Sequence, residues 1–205
     1  MVEQQLRRRG IQDERVLSAM YKVPRHEFVA RQSWGEAYAD HPILIGEQQT
    51  TSQPYIIAIM VQAAQIRPES RVLEIGAGSG YQTAVLAELA KQVFAVERFP
   101  SLADAARQIL ERLGYRNVTV VAGDGSLGYP EAAPYDAIIV SAAAPAVPPA
   151  LIEQLAAGGH LIVPVGDSQQ QVLQLVSRDE DGNIIVEIME GCRFVPLIGK
   201  QGFAA

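Results

Sequence analysis

The residues best placed for chemistry are Glu74, Gly76, Gly78 and Gly80, within the run Arg71-Val72-Leu73-Glu74-Ile75-Gly76-Ala77-Gly78-Ser79-Gly80-Tyr81. A short apolar stretch carries a carboxylate near its end and passes into three alternating glycines. A buried strand that opens into a turn without side chains lets a ligand lie directly on the backbone. A dinucleotide asks for Gly-x-Gly-x-x-Gly, whose third glycine lets the helix pack close to the strand. Here that place is Tyr81, and the glycine falls at Gly80 instead. A carboxylate beneath the turn suits a ligand carrying a sulfonium and an ammonium group, and repels a pyrophosphate. The pattern favours S-adenosylmethionine, and with it methyl transfer.

Two further acidic residues support a nucleoside ligand. Glu97 ends the next apolar run about twenty residues after the turn, where a carboxylate accepts both ribose hydroxyls. That feature is shared with dinucleotide sites and so marks the nucleoside alone. Asp124, in Gly123-Asp124-Gly125, follows the third run and can accept from an adenine amino group. No cluster of His and Cys at metal-ligand spacing appears, so no metal is implied.

The elements that must position these residues change character along the chain. Residues 2–9 and 13–20 read as short helices, the second opened by Asp13 as N-cap and stopped before Val23-Pro24. Residues 25–53 show little periodicity and many turn formers; so long an irregular stretch is usually a functional cover. Pro54 suits the first position of a helix over 54–65. Strands are expected at 71–75, 93–97, 118–122, 137–140 and 160–165, with helices at 81–90, 101–113 and 149–156, the last stopped by Gly158-Gly159. Strands at 171–176 and 184–188 flank Asp181-Gly182, a hairpin turn. The expected fold is α/β: a doubly wound, mostly parallel Rossmann-like methyltransferase sheet with a C-terminal β-hairpin and an N-terminal helical and loop extension. A single domain over 1–205 is expected, with 1–69 as substrate cover and 70–205 as cofactor-binding core.

Composition narrows the partners. A net charge of -6 argues against a phosphate-binding face, so nucleic acid is not an expected substrate. The lone cysteine, Cys192, excludes an internal disulfide and suits a reducing cytosol. No apolar stretch approaches the ~20 residues of a membrane span, and 1–5 lack the apolar core of a secretory signal. A cytoplasmic location is expected.

Other segments carry a more specific likeness. Val23-Pro24-Arg25-His26-Glu27-Phe28, Thr51-Ser52-Gln53-Pro54-Tyr55, Gly123-Asp124-Gly125, Ala133-Pro134-Tyr135-Asp136, Pro164-Val165-Gly166 and Phe194-Val195-Pro196-Leu197 occur in order along nearly the whole chain. With the glycine turn they resemble the protein-L-isoaspartate O-methyltransferase family. The resemblance implies methyl transfer from S-adenosylmethionine to the α-carboxylate of L-isoaspartyl residues in damaged proteins and peptides. The ester then cyclises to a succinimide. By position, Ser52 matches the family's active-site serine, and Gly76, Gly78, Glu97, Asp124 and Gly125 match its cofactor-contacting positions. Thr50, Thr51, Val195 and Pro196 are the expected substrate-side residues. The chain departs from the family at Gln48, where a glycine is usual, and at Thr51, where an aliphatic residue is usual. Beside the substrate segment, these departures leave two alternatives: a methyltransferase for another carboxylate, or a cofactor-binding homologue that recognises peptides without turnover.

Overall fold

The computed structural model describes residues 1–204. The first residues coil tightly, as a π turn over Val2–Leu6 and a 3-10 turn over Arg7–Arg9, where a single short helix was expected. Helix α1 (Glu14–Lys22) opens as the sequence indicates: the Asp13 carboxylate accepts from Arg15 N at 2.8 Å and Val16 N at 3.3 Å. Two 3-10 turns, Arg25–Phe28 and Arg31–Glu36, precede a small antiparallel ribbon of β1 (Ile43–Gly46) and β2 (Gln49–Thr51). The ribbon is missing from the sequence reading because its turn residues, Glu47 and Gln48, take φ of 48° and 58° without being glycine or asparagine. Helix α2 (Pro54–Ala63) starts on Pro54, whose missing N–H costs nothing at that position.

From β3 (Arg71–Ile75) the chain alternates regularly through α3 (Tyr81–Ala87), β4 (Gln92–Glu97), α4 (Pro100–Arg112), β5 (Val118–Ala122), β6 (Tyr135–Val140), α5 (Pro149–Glu153) and β7 (Leu155–Gly166). Strands β8 (Gln171–Arg178) and β9 (Ile184–Cys192) form the terminal hairpin. The sheet order is β5-β4-β3-β6-β7-β8-β9, parallel through β7 and antiparallel beyond. The chain grows outward from β3 to β5 and then returns to lay β6 on the other side of β3. Ligands bind at this switch point in open α/β sheets.

Alternation along β3 divides the core. Val72 packs beneath α1–α4 with Leu17, Met60, Val85 and Ala106, while Leu73 and Ile75 face the opposite layer with Leu151, Leu161 and Ile138. The third helix expected from the sequence is shorter than predicted. α5 ends at Glu153, and Gly158-Gly159 lie inside β7 rather than at a helix stop. Gly159 is needed there because a Cβ would sit 2.9 Å from Ala156 O and 3.1 Å from Asp136 O, where β7 meets β6 at a register shift.

Candidate active site

At the switch point, Gly76, Gly78 and Gly80 take φ of 86°, 53° and 87°, in the region where a side chain is strained. Two of them are also crowded: a Cβ on Gly80 would meet Ala106 Cβ at 3.2 Å, and one on Gly78 would meet Ile45 Cδ1 at 3.1 Å. Besides making the turn, Gly78 therefore admits the β1–β2 ribbon and Gly80 the close packing of α4.

Glu74 points beneath this turn and is fully buried. Its two oxygens accept from Gln82 Nε2 at 3.0 Å and Thr83 Oγ1 at 2.5 Å, both at the start of α3. Burial pushes its carboxyl up to about 8, outweighing those two donors; Glu97 nearby adds to the rise. Glu97 ends β4 with both oxygens anchored: Oε2 accepts from Gly78 N at 2.8 Å and Oε1 from Phe99 N at 2.9 Å. This holds the carboxylate at the mouth of a cleft of about 200 Å³, lined also by Gly76, Gly78, Phe99, Gly125 and Leu197. Asp124 is placed differently. It is not among the residues lining this cleft, and its carboxylate accepts from Ser126 and from Lys200 N.

A second cleft of about 310 Å³ adjoins the first. Ser52, Gln53 and Tyr55 form one wall, and Glu190 to Val195, from the end of β9 and the irregular segment that follows, form the other. Thr50, Ser141 and Val195 line both clefts, so the two meet at these three residues. A small cavity of about 30 Å³ beneath the turn touches Ser52, Glu74, Gln82 and Ser141 and links the two sides. Pro196 faces the first cleft only. Thr51 is buried, and its hydroxyl accepts from Arg25 Nη1 at 3.3 Å, so it braces the wall from behind.

The substrate-side wall depends on residues the sequence did not single out. Arg25 is fully buried, donating to Ala37 O at 2.8 Å and Ser52 O at 2.8 Å as well as to Thr51, with its guanidinium 4.6 Å from the Tyr81 ring centre. Burial lowers its proton affinity, and nearby Tyr81 and Asp40 partly restore it. Asp40 accepts from Tyr55 N at 3.0 Å, Gln53 Nε2 at 2.7 Å and Arg9 Nη1 at 2.5 Å, fixing the start of α2. The signal for Arg25 was a charged residue set between Val23 and Phe28, both apolar and both buried. Ser141 could have been found from topology alone, as the first residue past the strand at the switch point. Its hydroxyl oxygen accepts from Gln82 Nε2 at 2.9 Å, leaving its proton free to donate toward the junction. Ala142, Ala143 and Ala144 are small where the C-terminal segment comes close: Ala143 exchanges hydrogen bonds with Val195 O at 2.8 Å and Leu197 N at 2.7 Å. They admit the backbone of the C-terminal segment.

Trp34 and Tyr38 gather around His26 on the surface, with ring centres 5.1 Å and 5.8 Å from it, and neither lines the second cleft. Cys192 does line that cleft, but burial pushes its thiol up to about 11 and Glu190 adds to the effect, so it is a poor nucleophile. Among the described residues, no three His, Cys, Asp or Glu side chains are grouped to hold a metal. Among the described residues no helix is long and apolar enough to cross a membrane.

A parallel sheet with a glycine turn at its switch point, an acidic residue ending the next strand and a second cleft opening onto the first defines a Rossmann-like methyltransferase. The comparisons narrow this class. The profile of the protein-L-isoaspartate(D-aspartate) O-methyltransferase family matches residues 1–202. A protein-L-isoaspartate O-methyltransferase of Koribacter versatilis is 53% identical over 204 residues, 100% of this chain and 91% of the relative. A solved protein-L-isoaspartate O-methyltransferase superposes with a TM-score of 0.89 at 31% identity, over 98% of this chain and 67% of the other. A beta-aspartate methyltransferase structure from Plasmodium falciparum, in complex with S-adenosyl-L-homocysteine, gives a TM-score of 0.83 at 27% identity, over 96% of each chain. The chain therefore belongs to the protein-L-isoaspartate(D-aspartate) O-methyltransferase family. It is an S-adenosylmethionine-dependent protein carboxyl methyltransferase.

The side chains present fit that cofactor. Gln82 Oε1 is buried with no hydrogen-bond partner among the described residues, and it borders the small cavity together with Glu74. Two acceptors there match an ammonium group, which has only donors to offer. Glu97 still has lone pairs to spare for ribose hydroxyls beyond its two backbone donors.

Proposed function

We propose that the larger, Ser52-lined cleft holds an L-isoaspartyl residue of a damaged protein or peptide, with its α-carboxylate at the junction of the two clefts. The observation that carries this reading is the junction itself: Thr50, Ser141 and Val195 belong to both clefts, so a nucleophile on one side meets a methyl donor on the other without an intervening wall. When bound, S-adenosylmethionine supplies an electrophilic methyl group on a sulfonium. Gly76, Gly78 and Gly125 bring backbone to it, Glu97 holds its ribose, and Glu74 with Gln82 faces its ammonium end, while Gly80 lets the turn pack against α4.

The rest of the chemistry is positioning. A carboxylate with a pKa near ~4 is already ionised at pH 7, so the step asks for neither a general base nor a metal. Ser52 orients the carboxylate. Arg25 takes its carbonyl and leaves the hydroxyl at the cleft. No His stands beside it in the motif, so it is not a covalent nucleophile. Ser141 supplies a second hydroxyl at the same junction. Arg193 is the cation for substrate binding. Of the two arginines lining this cleft, Arg9 is paired with Asp40 at 2.5 Å and stacked on Tyr55 at 3.4 Å, whereas Arg193 has no ion-pair partner among the described residues. Thr50 and Val195 close the junction against water, and Pro196 walls the cofactor side of it. In this reading residues 1–69 serve as the substrate cover and 70–205 as the cofactor core, in a cytoplasmic enzyme that acts on isoaspartyl proteins rather than nucleic acid.

The test uses tritiated S-adenosylmethionine with an isoaspartyl peptide and its aspartyl twin. Base-labile methyl ester on the isoaspartyl peptide alone is the expected result. Equal labelling of both, or of neither, overturns the substrate assignment. In the same assay Arg193→Ala raises the KM for the isoaspartyl peptide roughly tenfold with kcat little changed, the loss of one charge-assisted hydrogen bond.

A further inference from the structure

Asp124 stands out because it does not line the cleft and its carboxylate instead reaches the C-terminal segment. Oδ1 accepts from Ser126 N at 3.0 Å and Ser126 Oγ at 2.6 Å, and Oδ2 accepts from Lys200 N at 2.8 Å. Ser126 Oγ in turn accepts from Gln201 N at 3.0 Å. Gly199 lies flat on this pair: a Cβ there would fall 2.0 Å from Asp124 Oδ1 and 2.5 Å from Ser126 Oγ. Its φ is not in the left-handed region, so close approach and not backbone freedom explains the glycine. The segment so held is the one that walls the cofactor cleft, since Val195, Pro196, Leu197 and Ile198 line it just upstream. At its near end the segment is tied to Ala143 through Val195 O and Leu197 N. At its far end, Gln201 Oε1 accepts from Ala150 N at 2.9 Å.

We propose that Asp124 and Ser126 form a latch that holds the C-terminal segment in place as the outer wall of the cofactor cleft. They are positioning residues for cofactor binding, acting through residues 195–198. Between Leu197 and Phe203 the segment closes on itself through Phe203 N on Leu197 O at 2.7 Å, Gly199 N on Phe203 O at 3.2 Å and Gly202 N on Gly199 O at 3.1 Å. The bonds from Lys200 N and Gln201 N to Asp124 and Ser126 tie this turn to the loop after β5. The inference rests on reading this cleft as the S-adenosylmethionine site.

The test avoids residues that line the cleft. Ser126→Ala removes the hydroxyl shared by Asp124 and Gln201, and Gly199→Ala wedges a methyl group between the segment and the latch. Binding of S-adenosylhomocysteine is measured by calorimetry, and amide hydrogen exchange is followed at Lys200 and Gln201. Ser126→Ala is expected to weaken binding roughly threefold to tenfold, as for a lost buried hydrogen bond. Gly199→Ala is expected to weaken it on the order of tenfold or more through overpacking. Both variants lose protection at the two amides, and in the unmodified protein those amides gain protection when S-adenosylhomocysteine binds. Should Gly199→Ala fail to fold, Ser126→Ala and the ligand-dependent protection still decide. Unchanged affinity and unchanged exchange in the variants would overturn the latch and leave Asp124 as an adenine ligand only. Failure of the cleft assignment looks different: the unmodified protein itself would not bind S-adenosylhomocysteine.

Discussion

The two sides of the active site are built by opposite means. The heart of the cofactor side is local in sequence: Glu74, the three glycines, Gln82 and Thr83 lie within ten residues and Glu97 ends the next strand, while Gly125 and residues 195–198 close the cleft from farther along the chain. The substrate side is assembled from Arg9, Asp40, the 50–55 segment, Ser141 and the 190–195 segment, which meet only in the folded chain. Its cohesion comes from polar struts rather than apolar packing. A site of the first kind is carried by a strand and a turn, while one of the second kind depends on a few buried hydrogen bonds.

The largest effect should follow from removing the central strut. Arg25→Met leaves the carbonyls of Ala37 and Ser52 and the hydroxyl of Thr51 without their donor in a buried setting. Each such orphan costs about 1–3 kcal/mol, so a loss of about 4 kcal/mol is expected, roughly 10 °C in melting temperature. Below that temperature the variant should still bind S-adenosylhomocysteine within a few-fold while losing isoaspartyl turnover. If cofactor affinity falls in step with turnover, the two sides are not separable and the comparison breaks.

Ser52→Ala probes the same boundary at a single atom. Misorientation of an attacking group costs on the order of 10²-fold in rate, and that loss is expected in kcat with cofactor affinity unchanged. Single-turnover kinetics on an isoaspartyl peptide measures it. Undiminished turnover would make the serine a structural element of the mouth of α2 and nothing more.

The same contrast explains what the sequence made legible. The sheet, its order of elements and the glycine turn could be read because each is a short pattern: apolar runs of strand length, glycines at fixed spacing, an acid at a strand end. Asp13 and Pro54 could be read because capping and first-turn preferences act on neighbouring residues. Arg25 and Asp40 could not be assigned roles, because their partners lie 12 to 31 residues away; the apolar neighbours of Arg25 mark its burial without naming those partners. The β1–β2 ribbon was hidden because its turn lacks the residues that signal one. Gly158-Gly159 misled because glycine serves a helix stop and a close strand contact equally well, and only the position of Asp136 decides between them.

Glu74 sharpens the cofactor side. Its carboxyl is held protonated up to about 8 in the folded chain, against 4.5 in an exposed one. A raised carboxyl stabilises the fold fully below 4.5, and that contribution is lost as pH rises toward about 8. Stability measured in urea should therefore decline by roughly 2 kcal/mol or more from about pH 5 to 8, and Glu74→Gln should flatten the decline. The ammonium of the cofactor favours the ionised form, so binding near pH 7 should release up to about one proton. Calorimetry in two buffers of different ionisation heat reads that release, which Glu74→Gln should abolish. Proton release that persists in the variant would move the coupling to another group.

The smallest effect belongs to the ribbon that spans both sides. Glu47 and Gln48 both take positive φ, a conformation that costs an ordinary residue about 1 kcal/mol and glycine almost nothing. Glu47 is compensated, since its carboxylate accepts from Ser101 Oγ at 2.6 Å and ties the ribbon tip to the start of α4. Among the described residues Gln48 has no side-chain hydrogen bond in return, and it lines neither cleft. This is the position where the resemblance to the family leads one to expect glycine. Gln48→Gly should stabilise the protein by about 0.5 kcal/mol, the relieved strain less the greater freedom of glycine in the unfolded chain. Thermal unfolding should show a rise of about 1–2 °C, with kcat on an isoaspartyl peptide changed less than about twofold. A larger change in kcat would mean that the ribbon tip acts on the substrate side, and that Gln48 tunes selectivity there rather than carrying backbone strain.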